Sequence, residues 1–209
     1  MIKLVCFDLD HTLINEVHSV MLLCLLNGRE KEHAIVQEQE ELGIIDYKTA
    51  DYQRAKLVEG LDSSLVYDGF IGLTKPLDKI ADTIRTLHSR NIQSIIITVG
   101  PKQVADAARD LWGANASYGS IYETSNGHFT GKITSYIDGY GKVDCLNDYC
   151  LENNITPEEC IAVGDGSTDI PLFKHCHRSI AINASPSAIQ SASCSIITSD
   201  LSGILPYIL

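Results

Sequence analysis

The run Lys3-Leu4-Val5-Cys6-Phe7, followed at once by Asp8-Leu9-Asp10-His11-Thr12, sets two carboxylates directly behind a short apolar stretch. Such a stretch, apolar without alternation, reads as a strand buried on both faces, as in a parallel sheet. Asp8 and Asp10 then stand at its carboxyl end, the edge at which open α/β sheets bind ligands. Paired acids there repel one another and are costly to desolvate, so a cation or a proton must compensate them. Residues i and i+2 of an extended chain point the same way, which lets one carboxylate attack while its neighbour serves as acid and base. His11 alternates away from both and is assigned no chemistry. A solvated Asp-rich turn accounts for the pair about as well when the pair is taken alone.

Outward from this segment the same pattern recurs. Ser94–Thr98, Cys160–Val163, Ser179–Ile182 and Ser195–Thr198 are further short apolar runs, each near a helical pattern. The helical segments are Leu77–Ser89, Pro101–Trp112, Lys142–Asn153, Asp169–His175, Pro186–Ala192 and Leu201–Leu209. Pro101 and Pro186 suit a first helical position. Alternation of strand and helix predicts an α/β fold, a Rossmann-like parallel sheet flanked by helices. From about Asn15 to Lys75 no strand is expected; Glu16–Leu26, Glu30–Leu42, Asp46–Glu59 and Ser63–Ile71 read as four helices. The chain therefore divides into a discontinuous core, residues 1–14 and 76–209, and an inserted helical cap, residues 15–75. Asn126-Gly127 between Ile121-Tyr122 and His128-Phe129 predicts a small β-hairpin appended to the core.

A second acidic cluster changes the weight of the first. Val163-Gly164-Asp165-Gly166-Ser167-Thr168-Asp169 follows an apolar run and opens a helix, and its glycines permit a tight turn. Asp165 and Asp169 thereby reach the sheet edge that holds Asp8 and Asp10. Four carboxylates at one edge make a site for a hard cation with oxygen ligands, and magnesium suits it. Thr98 ends a strand just before Gly100-Pro101; its hydroxyl and the backbone N–H groups there can hold a phosphate oxygen. Lys142 follows Gly139-Tyr140-Gly141 at a helix start, where the helix dipole gives a cation no advantage. It can instead neutralise the carboxylates and a developing phosphoryl charge. Singly, each of the two is equally an ordinary strand-end hydroxyl and a surface lysine.

In this order the motifs resemble those of the haloacid dehalogenase-like hydrolases, in their phosphoserine phosphatase-like branch. The resemblance rests on Asp8-Leu9-Asp10-His11-Thr12, Ile95-Ile96-Ile97-Thr98, Lys142, and Gly164 to Asp169. It implies a nucleophilic Asp8 that forms an aspartyl-phosphate, and an Asp10 that protonates the leaving oxygen and then activates water. It implies a magnesium ion (Mg2+) held by Asp8, Asp165 and the main-chain carbonyl of Asp10, with Asp169 orienting a metal-bound water or Lys142. Thr98, Gly100, Lys142 and Thr168 would bind the phosphoryl group. The acid at Asp10 favours phosphate esters over dehalogenation. Phosphoserine is the leading substrate, its amine assigned to Glu16 and its carboxylate to Arg54, although a solvated helix charge explains Arg54 equally well. Glu16 stands one residue short of the family spacing, and Val99 replaces a glycine usual after the strand-end hydroxyl. A phosphotransferase or mutase with the same nucleophile, and a phospho-ligand binding module without turnover, are the alternatives.

Composition bounds the rest. The 209 residues suffice for one core plus a small insertion, and a net charge of −11 argues against nucleic acid and anionic membrane partners. No apolar stretch approaches the ~20 residues needed to span a bilayer. Seven cysteines, an odd number without a Cys-x-x-Cys, suggest reduced thiols and a cytoplasmic location. The adjacent His175-Cys176-His177 cannot all face one ion. Trp112 is expected in the core. The expected partner is a small phosphorylated substrate, bound by a monomer or homodimer.

Overall fold

The computed structural model describes residues 1–209. Chain order begins with β1 (Leu4–Phe7), β2 (Ile14–Asn15) and four helices, α1 (Ser19–Leu26), α2 (Glu30–Glu41), α3 (Tyr47–Leu57) and α4 (Leu65–Leu73). There follow β3 (Lys75–Pro76), α5 (Ile80–Ser89), β4 (Gln93–Pro101), α6 (Lys102–Trp112), β5 (Ala116–Ser125), β6 (His128–Ser135) and α7 (Gly139–Asn153). The chain closes with β7 (Cys160–Gly164), α8 (Ile170–His175), β8 (Arg178–Ile182), α9 (Pro186–Ser191), β9 (Cys194–Ile196) and a 3₁₀ stretch over Leu201–Tyr207. No helix is long and apolar enough to cross a membrane.

Seven strands form one sheet in the order β6-β5-β4-β1-β7-β8-β9, parallel except for the β5–β6 pair. The apolar opening run becomes its central strand. Every residue of β1 is fully buried, because helices cover both faces. Val5 and Phe7 join Ile96, Ile161 and Val163 in a core with α5 and α6 on one face. Leu4 and Cys6 join Ile95, Ile97, Cys160 and Ala162 in a core with α7 and α8 on the other. Register fixes the site: Phe7 lies level with Ile96 of β4 and Val163 of β7, so Asp8, Thr98 and Asp165 emerge at one edge.

The helical segment is not separate in its packing. Leu22, Leu23, Val66 and Phe70 belong to the same apolar cluster as Phe7 and Ile96, and the Phe70 ring meets Trp112 edge-on at 5.4 Å. The chain enters and leaves this segment through a two-residue antiparallel ribbon, Ile14 opposite Pro76 and Asn15 opposite Lys75. No strand was expected there, since a two-residue pair carries too little periodicity to show in sequence.

Three further expectations are corrected. The hairpin is not an appendage: β5 pairs parallel with β4 over its first half and then runs on to pair with β6, so both strands form the edge of the main sheet. Ala116-Ser117-Tyr118-Gly119-Ser120 is too small and polar to read as a buried run. The turn itself is of the expected kind, with positive φ at both Asn126 and Gly127. Second, α7 starts at Gly139, because the Asp138 carboxylate caps it by accepting from the N–H groups of Tyr140 and Gly141 at 3.0 and 2.9 Å. Lys142 thus lies inside the first turn. Third, Pro101 precedes α6 as its N-cap and ends β4, rather than taking the first helical position.

Candidate active site

Asp8 is the first residue beyond β1, and its N–H continues the sheet ladder to the Val163 carbonyl at 2.9 Å. Its carboxylate is buried, and Oδ1 accepts from Lys142 Nζ at 2.5 Å. Lys142 Nζ also donates to Asp169 Oδ1 at 2.7 Å. The lysine side chain has no exposed surface, which explains its unusual place near a helix N-terminus: two carboxylates, not the helix, hold its charge. Asp169 Oδ2 accepts from the N–H groups of Asp165 and Gly166, each at 3.0 Å, so both its oxygens are engaged. Thr12 Oγ1 donates to Asp165 Oδ1 at 3.0 Å and stands 3.4 Å from Asp8 Oδ2. Carboxylate oxygens of Asp8, Asp165 and Asp169 lie within 4.8 Å of one another.

Electrostatics follow from this crowding. Burial pushes the Asp8 carboxyl well above its ordinary range; the Asp169 charge adds to the rise and Lys142 opposes it. Burial and then Asp169 push Asp165 up to about 6. Burial works against the Lys142 charge, but Asp169 and Asp8 outweigh it and hold the ammonium above the usual lysine range.

Asp10 is held apart from this cluster. Its Oδ1 accepts from the Ser19 N–H at 2.6 Å and its Oδ2 from Ser19 Oγ at 2.5 Å, which ties it to the first residue of α1. The chain does not stay extended after Asp10, because His11 has φ 61° and the loop turns back. The simple alternation expected for His11 therefore fails: its side chain lines the same cavity as Asp8 and Asp10.

Thr98, buried within β4 three residues before the strand ends, accepts the Gly100 N–H on Oγ1 at 3.0 Å. Gly100 has no room for a side chain. A Cβ there would lie 2.1 Å from Ser19 Oγ and 3.1 Å from Asp10 Oδ2. Gly100→Ala should therefore displace the Ser19 hydroxyl and with it the Asp10 carboxylate, and, should Asp10 be the proton donor that the resemblance implies, lower kcat/KM by about a hundredfold, the scale of a ~1 Å misplacement. Steady-state kinetics beside a melting curve checks this; activity within about twofold of wild type would sink it.

A cavity of ≈ 600 Å³ connects these residues with α2 and α3. Thr168, Val99 and Gly100 lie on its core side; His33, Gln37, Glu40, Asp51 and Arg54 come from the helical segment. Arg54 is no solvated charge. It is buried, with Nη2 donating to Gln37 Oε1 at 2.8 Å and to Glu40 Oε2 at 2.5 Å, and Nη1 3.4 Å from Asp51 Oδ1. Glu16 also lines the cavity, but it is exposed and ion-paired with Lys75 at 2.5 Å. Sequence reading passed over His18, Ser19, His33, Gln37 and Glu40. A signal existed for three of them: His33, Gln37 and Glu40 stand at i, i+4 and i+7, one polar stripe on α2.

The chain is similar to known proteins in sequence and in fold. The sequence model of the haloacid dehalogenase-like hydrolases matches residues 5–174. The phosphoserine phosphatase of Lactococcus lactis subsp. lactis is 31% identical over 209 residues, 98% of this chain and 94% of that protein. The phosphoserine phosphatase of Saccharomyces cerevisiae is 29% identical, over 99% of this chain and 67% of its own length. Among solved structures, a substrate-bound phosphoserine phosphatase complex shares 24% identity and superposes with a TM-score of 0.85 over 100% of this chain and 99% of that one. With its sheet order, its acidic edge and a family match over most of its length, the chain is a phosphatase and belongs to the haloacid dehalogenase-like hydrolases, in their phosphoserine phosphatase-like branch.

Proposed function

We propose that the protein is a magnesium-dependent phosphomonoester hydrolase that works through an aspartyl-phosphate on Asp8, with O-phosphoserine the leading substrate. The observation that carries this reading is the unequal setting of its two leading carboxylates. Asp8 is buried against Lys142, whereas both oxygens of Asp10 are turned to Ser19. Acids in different environments take different roles.

The donor set fits a magnesium ion. Three carboxylates cluster and only two of them meet the one ammonium, all donors are oxygen, and such a set is what a hard cation prefers. Asp8, Asp165 and the Asp10 carbonyl would hold the ion, which supplies positive charge to the phosphoryl group. Asp169, with both oxygens occupied, fixes Lys142 and the Asp165–Gly166 backbone.

In the first half-reaction an Asp8 oxygen attacks phosphorus, the ester P–O bond breaks, and Asp10 gives its proton to the leaving alcohol. In the second, Asp10 takes a proton from water as that water attacks phosphorus, which frees inorganic phosphate and restores Asp8. Lys142 uses two of its three N–H donors on Asp8 and Asp169 and keeps the third for a phosphoryl oxygen. Thr98, Thr168 and the backbone around Gly100 bind the remaining oxygens. Residues 1–14 and 76–209 act as the catalytic domain and residues 15–75 as its cap, with Arg54 taking a substrate carboxylate and Glu16, released from Lys75, its amine.

Phosphate release from a panel of phosphomonoesters, with magnesium and with EDTA, tests the activity; metal-independent turnover would overturn it. Arg54→Ala should lower kcat/KM for O-phosphoserine by about 10–100-fold, the worth of a hydrogen bond to a charged group, and spare para-nitrophenyl phosphate. Equal loss on both esters would remove Arg54 from substrate binding.

A further inference from the structure

Ser19 is the only residue that hydrogen-bonds the Asp10 carboxylate. Its N–H donates to Oδ1 at 2.6 Å and its Oγ to Oδ2 at 2.5 Å. The backbone donor is free for this because it lies in the first turn of α1, where helix N–H groups have no partner within the helix. His18 sets that start as the N-cap, its Nδ1 accepting from the Met21 N–H at 3.3 Å. Ser19 has no exposed surface, and its hydroxyl abuts Gly100, where a Cβ would come within 2.1 Å of Oγ. Leu22 and Leu23, one turn further on, anchor the helix in the main apolar cluster. The clamp is therefore stiff on the Ser19 side. Asp10 itself stays partly exposed and lines the cavity beside Asp8. A carboxylate offers about four lone-pair positions, so this clamp leaves a free side open to the cavity.

We propose that Ser19 is the positioning residue for both proton transfers: it aims the free side of the Asp10 carboxylate at the leaving oxygen in the first half-reaction and at the attacking water in the second. This rests on the reading of the chain as a phosphomonoester hydrolase with Asp10 as its acid and base. Ser19 touches no reacting atom. It acts through Asp10 alone, by removing that side chain's freedom to turn away, and proton transfer demands such alignment. Asp8 follows β1 and Lys142 lies on α7, whereas Ser19 opens the inserted helical segment. That segment therefore governs the chemical step as well as lining the cavity. A dependence on the alcohol follows. An alkoxide leaves poorly without a proton, whereas para-nitrophenolate leaves readily without one. Loss of aim must slow the first half-reaction for alkyl esters and spare it for the aryl ester. The second half-reaction is common to both esters and must slow for both.

Rapid mixing with magnesium and saturating substrate reads the two half-reactions apart. Ser19→Ala removes the Oγ donor and keeps the N–H. Serine release from O-phosphoserine in a single turnover should fall about tenfold, the scale of one hydrogen bond to a charged group. Release of para-nitrophenol from para-nitrophenyl phosphate should stay within about twofold and precede slower turnover as a burst. A double-substitution cycle supplies the second measurement. Steady-state phosphate release from para-nitrophenyl phosphate should fall about tenfold on Ser19→Ala in the wild-type background. In the Asp10→Ala background, where no carboxylate is left to aim, the same substitution should change it less than about twofold. A serine that merely supported the fold would cost as much in both backgrounds. Equal slowing of the first step on the two esters, no slowing on O-phosphoserine, or equal losses in both backgrounds would overturn the role of Ser19 and leave the hydrolase reading intact. Wild-type protein that releases neither alcohol would sink the hydrolase reading and this role with it.

Discussion

Asp8→Asn should lose hydrolysis of every phosphomonoester, by a factor on the order of 10⁶, the scale on which removal of a covalent nucleophile has been felt elsewhere. The asparagine keeps a carbonyl oxygen for Lys142 Nζ, 2.5 Å away in the native protein, but offers no carboxylate to attack phosphorus. It also removes one of three negative charges gathered within 4.8 Å, so the fold should survive. In EDTA the variant should melt no lower than wild type. With magnesium it should gain less, because stabilisation by a ligand grows with its affinity for the folded state. Phosphate release and paired melting curves decide the matter. Residual hydrolysis above about 1% of wild type would rule out covalent catalysis by Asp8.

Lys142→Met should damage both stability and activity. The native side chain is wholly buried between Asp8 and Asp169, and both carboxylates lose their cation when it goes. Removing one partner of a buried ion pair costs about 3–5 kcal/mol, because the other charge stays buried and uncompensated. For a chain of this size that is a fall in Tm of roughly 6–20 °C. Adding Asp169→Asn should recover part of the stability by removing one stranded charge, yet recover little activity, since the phosphoryl group still lacks the ammonium. Calorimetry on both variants checks this; a Tm of Lys142→Met within about 2 °C of wild type would show that the lysine does not hold the acidic edge together.

The helical segment offers a different kind of dependence. Arg54 on α3 owes its partners to the meeting of α2 and α3, and Asp10 owes its orientation to Ser19 at the start of α1. On the proposed mechanism, recognition of the substrate's far end and the placing of Asp10 would both rest on residues 15–75. Changes there should appear as substrate-dependent effects, in contrast to the uniform losses expected at Asp8 and Lys142.

Patterns carried within single segments settled much of this protein in advance. Lys3–Phe7 read as a strand buried on both faces, as Leu4–Phe7 is, and with Cys160–Val163 and the Gly164–Asp169 turn it pointed the acids to one sheet edge. Burial and period act over a few residues, so they leave a local trace. What the trace lacked was set by contacts between elements far apart in the chain. Lys142 reaches Asp8 across 134 positions, and nothing in its own neighbourhood says that it is buried. Arg54 finds Gln37 and Glu40 only because α2 and α3 come together, and Asp10 finds Ser19 only because the loop turns at His11. The place of β5 and β6 in the main sheet was hidden for the same reason: small and polar residues carry no strand signal until β4 offers them a parallel partner. The opening run thus determined the fold class and the acidic edge, while tertiary packing alone decided which cation and which hydrogen bonds each acid would receive.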